Sequence, residues 1–272
     1  MRIVDALLLV TLVGCGSAED GINVPDADVD ADAGPETYVQ DARSWDPRRQ
    51  DARCPTGMAF AGDFCVDRYE AYVVSVDDAG VEHAHSPYDV LPAVGAMRAK
   101  VAPGVVPQGY ISQVQASAAC ASAGKRLCTA AEFGLACRGP DATNDYPYGG
   151  TKRKPGDCNE GKGSSMPLFY GNDPTKWTYA AFNDPRLNQW DGGLAKTGAY
   201  TSCMSPYGVF DCVGNLHEWG ADPPDVKGHG RFRGGFYGDA EINGHGCLYV
   251  TSAHEVAYHD YSTGFRCCAN LR

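Results

Sequence analysis

The sequence has no long hydrophobic run. Its most apolar stretch, residues 6–13, covers eight residues, whereas a helix that crosses a bilayer needs about 20. Long apolar periods are scarce in the rest of the chain as well, while Gly (33) and Pro (17) are frequent. These features exclude a membrane-spanning helix in that stretch and favour a loop-rich fold.

Basic residues are also in short supply. Lys and Arg number 23 against 34 Asp and Glu, which gives a net charge of −11. Nucleic-acid binding needs a basic surface, so we expect no nucleic-acid partner.

The short apolar stretch is typical of an export signal. It follows Arg2 and ends at Leu12-Val13-Gly14-Cys15, a small-residue cleavage context. We expect residues 1–15 to be a lipoprotein signal peptide with Cys15 lipidated, and the alternative is a plain cleaved signal. The expected location is the bacterial cell envelope, where the lipid holds the chain to the outer or cytoplasmic membrane.

Residues 16–53 have the composition of a disordered acidic tether. They carry ten acidic and four basic residues, hence −6 of the net charge, and no apolar period. Asp26, Asp28, Asp30 and Asp32 alternate with small apolar residues, but the Gly and Glu of a calcium loop are missing. We therefore interpret this run as a solvated segment.

Residues 54–272 form one predicted domain. Twelve cysteines in an exported chain indicate a disulfide framework. Without Cys15 the number is eleven, so at least one thiol is free or pairs with another molecule. Cys54 and Cys65 are predicted to close a hairpin, while the other pairings stay open.

Local patterns predict a few regular elements. The second half of residues 64–74 favours a strand, Ser112–Gly124 favours a helix, and Thr129-x-x-Glu132 is a capping box that opens a second helix to about Cys137. Residues 151–207 are predicted to be almost all loop, anchored by Trp177 and Trp190. His83 and His85 are interpreted as an exposed pair.

Four fragments in a fixed order resemble the formylglycine-generating enzyme family, also called the sulfatase-modifying factor domain. The resemblance covers nearly all of residues 54–272, and it implies an irregular, loop-rich α+β fold related to C-type lectins, here with several disulfides. The fragments are Asp67-Arg68-Tyr69-Glu70, residues 124–133, residues 207–219, and Arg233-Gly234-Gly235 followed by Gly264-Phe265-Arg266.

The resemblance implies structural calcium near Gly214-Asn215. Gly and Asn permit a tight bend with positive φ, and Asn215 and Glu218 then offer the hard oxygen ligands that calcium prefers. Asn159 is expected to begin a second calcium loop. The alternative is a hydrogen-bonded turn without an ion. His217, at a usually aromatic place, is predicted to lie on the surface.

Three arginines are interpreted as structural. The guanidinium groups of Arg126, Arg233 and Arg266 suit buried loop carbonyls or a carboxylate such as Glu132 or Glu218.

Enzymes of this family hold copper between two cysteines, and soft thiolates suit Cu(I). Cys247 matches the second of these cysteines, but Ile242 stands where the first is needed, so copper is not expected. His245 is a conceivable substitute ligand. The competing interpretation is that residues 248–251 form a strand beside the terminal strand, so that Cys247 bonds Cys267 or Cys268.

The leading hypothesis is a binding or structural module without oxidase activity, for a protein, peptide or glycan partner. The alternative is an oxidase or related redox enzyme that uses Cys247 as the catalytic residue. A calcium-dependent lectin-like binder is the weaker alternative.

Overall fold

The computed structural model describes residues 50–92 and 96–271. The predicted signal peptide, Cys15 and residues 16–49 of the predicted tether lie outside these residues. Residues 50–53 lie against the domain: Gln50 accepts from the Gly57 N–H, and the Arg53 guanidinium stacks 3.6 Å from the centroid of the Phe60 ring.

The described residues form eleven short strands and four short α-helices, which are separated by long loops. The strands are β1 Met58–Ala61, β2 Phe64–Asp67, β3 Tyr72–Val76, β4 Glu82–Ala84, β5 Ala96–Lys100, β6 Arg126–Leu127, β7 His217–Trp219, β8 Phe232–Arg233, β9 Val250–Thr251, β10 Thr263–Gly264 and β11 Cys267–Asn270. The helices are α1 Gln113–Ser122, α2 Ala130–Arg138, α3 Met166–Tyr170 and α4 Tyr179–Phe182, with 3₁₀ turns at Pro174–Lys176, Pro185–Asn188 and Gly246–Leu248. This is an irregular, loop-rich α+β fold.

The strands form three small sheets with the orders β1-β2-β11-β6, β10-β7-β8-β9 and β4-β3-β5. In the first sheet, β11 pairs antiparallel with both β2 and β6, although it follows them by well over a hundred residues. In the second, β10 and β7 run parallel, with Thr263 opposite His217. Distant parts of the chain therefore meet in both sheets.

The two predicted helices are confirmed. Ser112 caps α1 and Thr129 caps α2, each through a complete capping box whose partners are Gln115 and Glu132. Gly124, with a φ of 68°, follows the end of α1. The starts of both helices depend on hydrogen bonds between residues three apart, so a short sequence pattern is enough to predict them.

Two other element predictions are wrong in part. The strand expected in the second half of residues 64–74 is present as β3, but it begins only at Tyr72, because the chain bends after β2 and buries Glu70. Residues 151–207, which were predicted to be almost all loop, contain α3, α4 and two 3₁₀ turns. Thr178 caps α4, and Asp173 and Asp184 cap the two 3₁₀ turns. Each of these three turns is stabilised by its own cap.

Within residues 50–92 and 96–271, five disulfides tie the loops together: Cys54–Cys65, Cys120–Cys267, Cys128–Cys268, Cys137–Cys247 and Cys158–Cys203. The predicted Cys54–Cys65 pair is confirmed. Cys267 and Cys268 are neighbours on β11, so their side chains point to opposite faces of the sheet. One bonds α1 and the other bonds the residue before the cap of α2.

No helix among the described residues is long and apolar enough to cross a membrane.

Candidate functional site

The turn that precedes β7 is tightly packed against a second loop. Gly214 and Asn215 have φ values of 77° and 58°, as predicted for this bend. A Cβ at Gly214 would lie 2.1 Å from the carbonyl oxygen of Asn159, so only glycine fits there. The turn therefore lies directly against the loop that follows Cys158.

Asn215 is held by neighbours on three segments. Its Oδ1 accepts from the Ala195 N–H at 2.9 Å and from Asn159 Nδ2 at 2.8 Å. Its Nδ2 donates to the carboxylate of Glu70, which also accepts from the Leu216 N–H at 2.9 Å. Asn215 thus joins the β2–β3 connection to the loops at 159 and 195.

Glu218 is paired with Arg266. Arg266 Nε and Nη2 each donate to one oxygen of the Glu218 carboxylate at 2.6 Å, and both side chains are buried. Burial disfavours the charge on Arg266, yet the carboxylates of Glu218 and Glu70 raise its pKa above the usual range. Arg266 also donates to the carbonyls of Asp67 and Phe210.

All three arginines donate to carboxylates, which is the kind of structural partner that the sequence predicted. Arg126 donates to both oxygens of Glu132, and Arg233 donates to Asp222 at 2.8 Å.

Three more buried carboxyl groups surround this pair, and the sequence pattern predicted no role for them. Asp67 accepts from Lys125 at 2.6 Å, whereas Asp211 accepts from the Gly198 N–H at 2.7 Å. Burial raises the pKa of Asp211 to about 7, and burial together with Asp211 and Glu218 raises that of Glu70 well above its usual value. Asp67 and Glu70 lie in the Asp67-Arg68-Tyr69-Glu70 fragment and Asp211 lies in the 207–219 fragment. Their burial depends on the tertiary contacts, which the sequence does not display.

The three predicted calcium ligands do not form one set of free oxygens. Both oxygens of Glu218 accept from Arg266, and the side-chain oxygen of Asn215 already accepts two N–H groups. Asn159 alone has a buried side-chain oxygen without a hydrogen-bond partner, whereas calcium takes six to eight oxygens. Among the described residues, no group of three or more His, Cys, Asp or Glu side chains is placed to hold a metal.

His217 is buried, so the prediction of a surface side chain is wrong. Its ring packs between the rings of Phe232, Phe236 and Tyr249, with centroids 4.5, 4.9 and 5.4 Å away. Burial lowers the pKa of His217 to about 3, and nearby His254 adds to this effect. Neutral His217 therefore packs against its neighbours as the aromatic residue that the resemblance implies at this position would.

Cys247 is buried and bonded to Cys137 of α2. The predicted pairing with Cys267 or Cys268 is wrong, because β9 pairs with β8 in a different sheet from β11. Cys137 was among the cysteines whose partner the sequence left open. The disulfide places Cys247 at the junction of α2 and the loop after Gly235.

The residues near Cys247 do not offer the two thiolates of a copper site. The Cys247 sulfur is engaged with Cys137, and Ile242 is 82% exposed. His245, the conceivable substitute, places Nδ1 2.7 Å from a Glu241 oxygen, and its side chain is 64% exposed. These residues therefore do not fit copper.

Cys212 is the free cysteine of the described residues, and it is buried. Burial raises the pKa of its thiol to about 12, so the nucleophilic thiolate is strongly disfavoured.

The loop that carries Cys247 exposes apolar side chains. Ile242, Leu248 and Val250 are 82%, 44% and 37% exposed. We call residues 239–250 the apolar loop. From the sequence, Ile242 was noted only because it stands where a copper-binding cysteine is needed. The nearby Gly244 and Gly246 indicate that the chain turns here, which exposes the Ile242 side chain.

Comparison with solved structures gives distant matches. PvdO from Pseudomonas aeruginosa superposes with a TM-score of 0.46 at 16% identity, over 76% of this chain and 80% of that one. The I1 and P3c variants of the Major Tropism Determinant each give a TM-score of 0.44, at 14% and 15% identity, over 80% and 82% of this chain. This chain spans 53% and 55% of the length of those two proteins.

Comparison with curated proteins gives no match. The family model described as "Sulfatase-modifying factor enzyme 1-like domain" matches residues 46–271, which is most of the chain. The chain therefore belongs to the family of sulfatase-modifying factor enzyme 1-like domains.

Proposed function

We propose that this chain is an exported, lipid-anchored envelope protein whose sulfatase-modifying-factor domain acts as a binding module without copper-dependent oxidase activity. The domain displays a fixed surface to a partner, and the predicted lipid at Cys15 holds it at a membrane.

The state of Cys247 carries this proposal. A copper oxidase of this family needs two thiolates, and Cu(I) prefers such soft ligands. Here the Cys247 sulfur bonds Cys137, and an exposed isoleucine occupies position 242. The Cys247 sulfur, which an oxidase would use to bind copper, instead links the loop to α2.

Thiol mapping tests the proposal. The exported protein is denatured without reductant, alkylated, digested and analysed by mass spectrometry. We expect Cys247 in a peptide cross-linked to Cys137, and alkylation at Cys212. A Cu(I) titration in competition with a chelator is expected to show no stoichiometric copper.

The Cys212→Ser variant is the matched control, because it removes the free thiol and leaves the Cys137–Cys247 pair unchanged. Alkylated Cys247 in the wild type, together with one bound Cu(I) that survives Cys212→Ser and is lost in Cys247→Ser, would support the oxidase alternative instead. Calcium binding and calcium-dependent glycan binding stay predictions and are not part of this proposal.

A further inference from the structure

We propose that Asn243 and Gly244 in the apolar loop form a site of spontaneous covalent modification, where the chain converts Asn243 to aspartate or isoaspartate without an enzyme. The conversion adds one negative charge to the loop that displays Ile242, and it loosens that loop. This inference goes beyond the proposed binding role, because it concerns a change in the chain itself.

The reaction needs only the chain and water. The backbone nitrogen of Gly244 loses its proton to solvent and attacks the side-chain carbonyl carbon, Cγ, of Asn243. The new N–Cγ bond closes a five-membered imide, the Cγ–Nδ2 bond breaks, and the nitrogen takes up a proton and leaves as ammonia. Water then adds to one of the two imide carbonyls and opens the ring, which gives aspartate or isoaspartate.

The backbone nitrogen of Gly244 is open to this reaction. Glycine has no Cβ that could shield its nitrogen, and the Gly244 N–H has no hydrogen-bond partner among residues 50–92 and 96–271. Asn243 is exposed, and no other asparagine in the sequence precedes a glycine. The unshielded nitrogen therefore follows directly after an accessible side-chain amide.

The turn of the loop requires this glycine. Gly244 has a φ of 112°, and a Cβ at this position would lie 2.7 Å from the carbonyl oxygen of Leu248. Both features disfavour every residue with a side chain. Residue 244 thus cannot gain a shielding side chain without a rearrangement of the loop.

The conversion removes a support of the loop. Asn243 Nδ2 donates to the Tyr249 hydroxyl at 3.1 Å, and the Asn243 carbonyl accepts from the Val250 N–H at 3.0 Å. A carboxylate has no hydrogen to donate to Tyr249. In isoaspartate the chain also runs through Cβ and Cγ, which inserts one more carbon atom between residues 243 and 244.

The new charge also lies beside an existing one. Burial raises the pKa of the Tyr249 hydroxyl, and the nearby Asp239 carboxylate adds to this rise, whereas the hydrogen bond from Asn243 opposes it. An aspartate at position 243 replaces that opposing group by a second negative charge. Repulsion between the two carboxylates is expected to weaken the closure of the loop.

Peptide mapping by mass spectrometry tests the inference. The full protein is kept for days in mildly alkaline buffer and digested, and each asparagine peptide is analysed for aspartate and isoaspartate against an unincubated sample. Asn172 is the internal control, because it is exposed as well but is followed by Asp173, whose side chain shields the attacking nitrogen. We expect Asn243 to convert severalfold faster than Asn172.

Two variants complete the test. Asn243→Gln is the matched control, since its longer side chain would have to close a larger ring, and its conversion should be severalfold slower. Asn243→Asp carries the product charge from the start, and we expect severalfold faster hydrogen exchange at the Val250 N–H than in the wild type. Equal thermal melting of wild type and Asn243→Gln shows that unfolding does not cause the difference.

The inference is overturned if Asn243 stays unconverted, if it converts no faster than Asn172, or if Asn243→Gln converts as fast as the wild type. Unchanged exchange at Val250 in Asn243→Asp would overturn the loosening of the loop. None of these results depends on the state of Cys247, so the proposed function is tested separately.

Discussion

Arg266 connects several segments of the candidate site. Its guanidinium neutralises Glu218 and donates to carbonyls of Asp67 and Phe210, which lie on separate segments. A buried pair of this kind adds little net stability compared with apolar residues, but loss of one partner leaves an unpaired buried charge.

A double-mutant cycle checks this role. We expect Arg266→Met to lower the free energy of unfolding by about 3–5 kcal/mol, because Glu218 would remain buried without its partner. Glu218→Gln in the Arg266→Met background should recover part of the loss. Urea unfolding measures all four proteins, and purely additive losses would contradict a coupled pair.

His217 predicts a pH dependence. Its pKa is about 3 in the folded protein against an ordinary 6.5, so between these values the unfolded chain binds the extra proton. The stability contributed by neutral His217 is therefore complete above pH 6.5 and is lost as the pH falls towards 3. Between pH 6.5 and about 4.5 the loss should be about 2–3 kcal/mol.

Replacement of His217 by Phe should remove this part of the acid sensitivity. The variant is structurally tolerable because Ser262 keeps its bond to Asp260 and Tyr249 keeps its bond to Asn243. Denaturant unfolding at several pH values measures the effect, with His83→Gln as an exposed control. An unchanged slope in His217→Phe would show that other groups carry the acid response.

At the residue level, the sequence predicted features that depend on near neighbours. The positive φ of Asn215 follows from the intrinsic preference of Asn and Gly. The burial of His217 does not, because its ring is enclosed by Phe232, Phe236 and Tyr249 from later segments. The pairing of Glu218 with Arg266 does not follow from near neighbours either, because it depends on how the fold brings the two segments together.

At the level of elements, helix ends were predictable and strand partners were not. The side chains of Thr129 and Glu132 each accept a hydrogen bond from the other residue's backbone N–H, so the start of α2 is determined within four residues. β9 was expected beside the terminal strand, but it pairs with β8. Nothing in an isolated two-residue strand specifies its neighbour, and the pairing is set by tertiary packing.

The disulfide between α2 and the apolar loop should contribute more to the free energy of unfolding than the hairpin disulfide does. The Cys137–Cys247 bond spans 110 residues and Cys54–Cys65 spans 11. In the chain-entropy account the longer loop gains about 2 kcal/mol more stabilisation. The variant Cys137→Ser/Cys247→Ser is therefore expected to lose more stability than Cys54→Ser/Cys65→Ser.

Urea unfolding under non-reducing conditions compares the two double variants. Equal losses, or a larger loss in the hairpin variant, would contradict the expectation that the longer closed loop gives the larger stabilisation.

For the whole molecule, the Gly and Pro content predicted a loop-rich fold, and the family resemblance implied its α+β class. The cysteine content predicted a disulfide framework but not its connectivity. Eleven cysteines after Cys15 implied an unpaired thiol, and Cys212 is that residue among the described part of the chain. The remaining pairs join segments up to 147 residues apart, a distance over which sequence spacing carries no information.

Membrane attachment is tested on the whole protein. We expect the exported chain to incorporate labelled palmitate and to partition with membranes, because Cys15 follows a short apolar segment typical of lipoprotein signals. Cys15→Ser should lose the label and release the protein. Label that persists in Cys15→Ser would contradict this assignment.

The two neighbouring cysteines of β11 also constrain the order in which the protein can be made. β11 leaves the ribosome after every other described element, yet it fills the space between β2 and β6 and closes two disulfides. Until it arrives, Cys120 and Cys128 have no correct partner, and the first sheet has a gap at its centre. A chain that emerges N-terminus first must therefore keep these two thiols unpaired until β11 has been made.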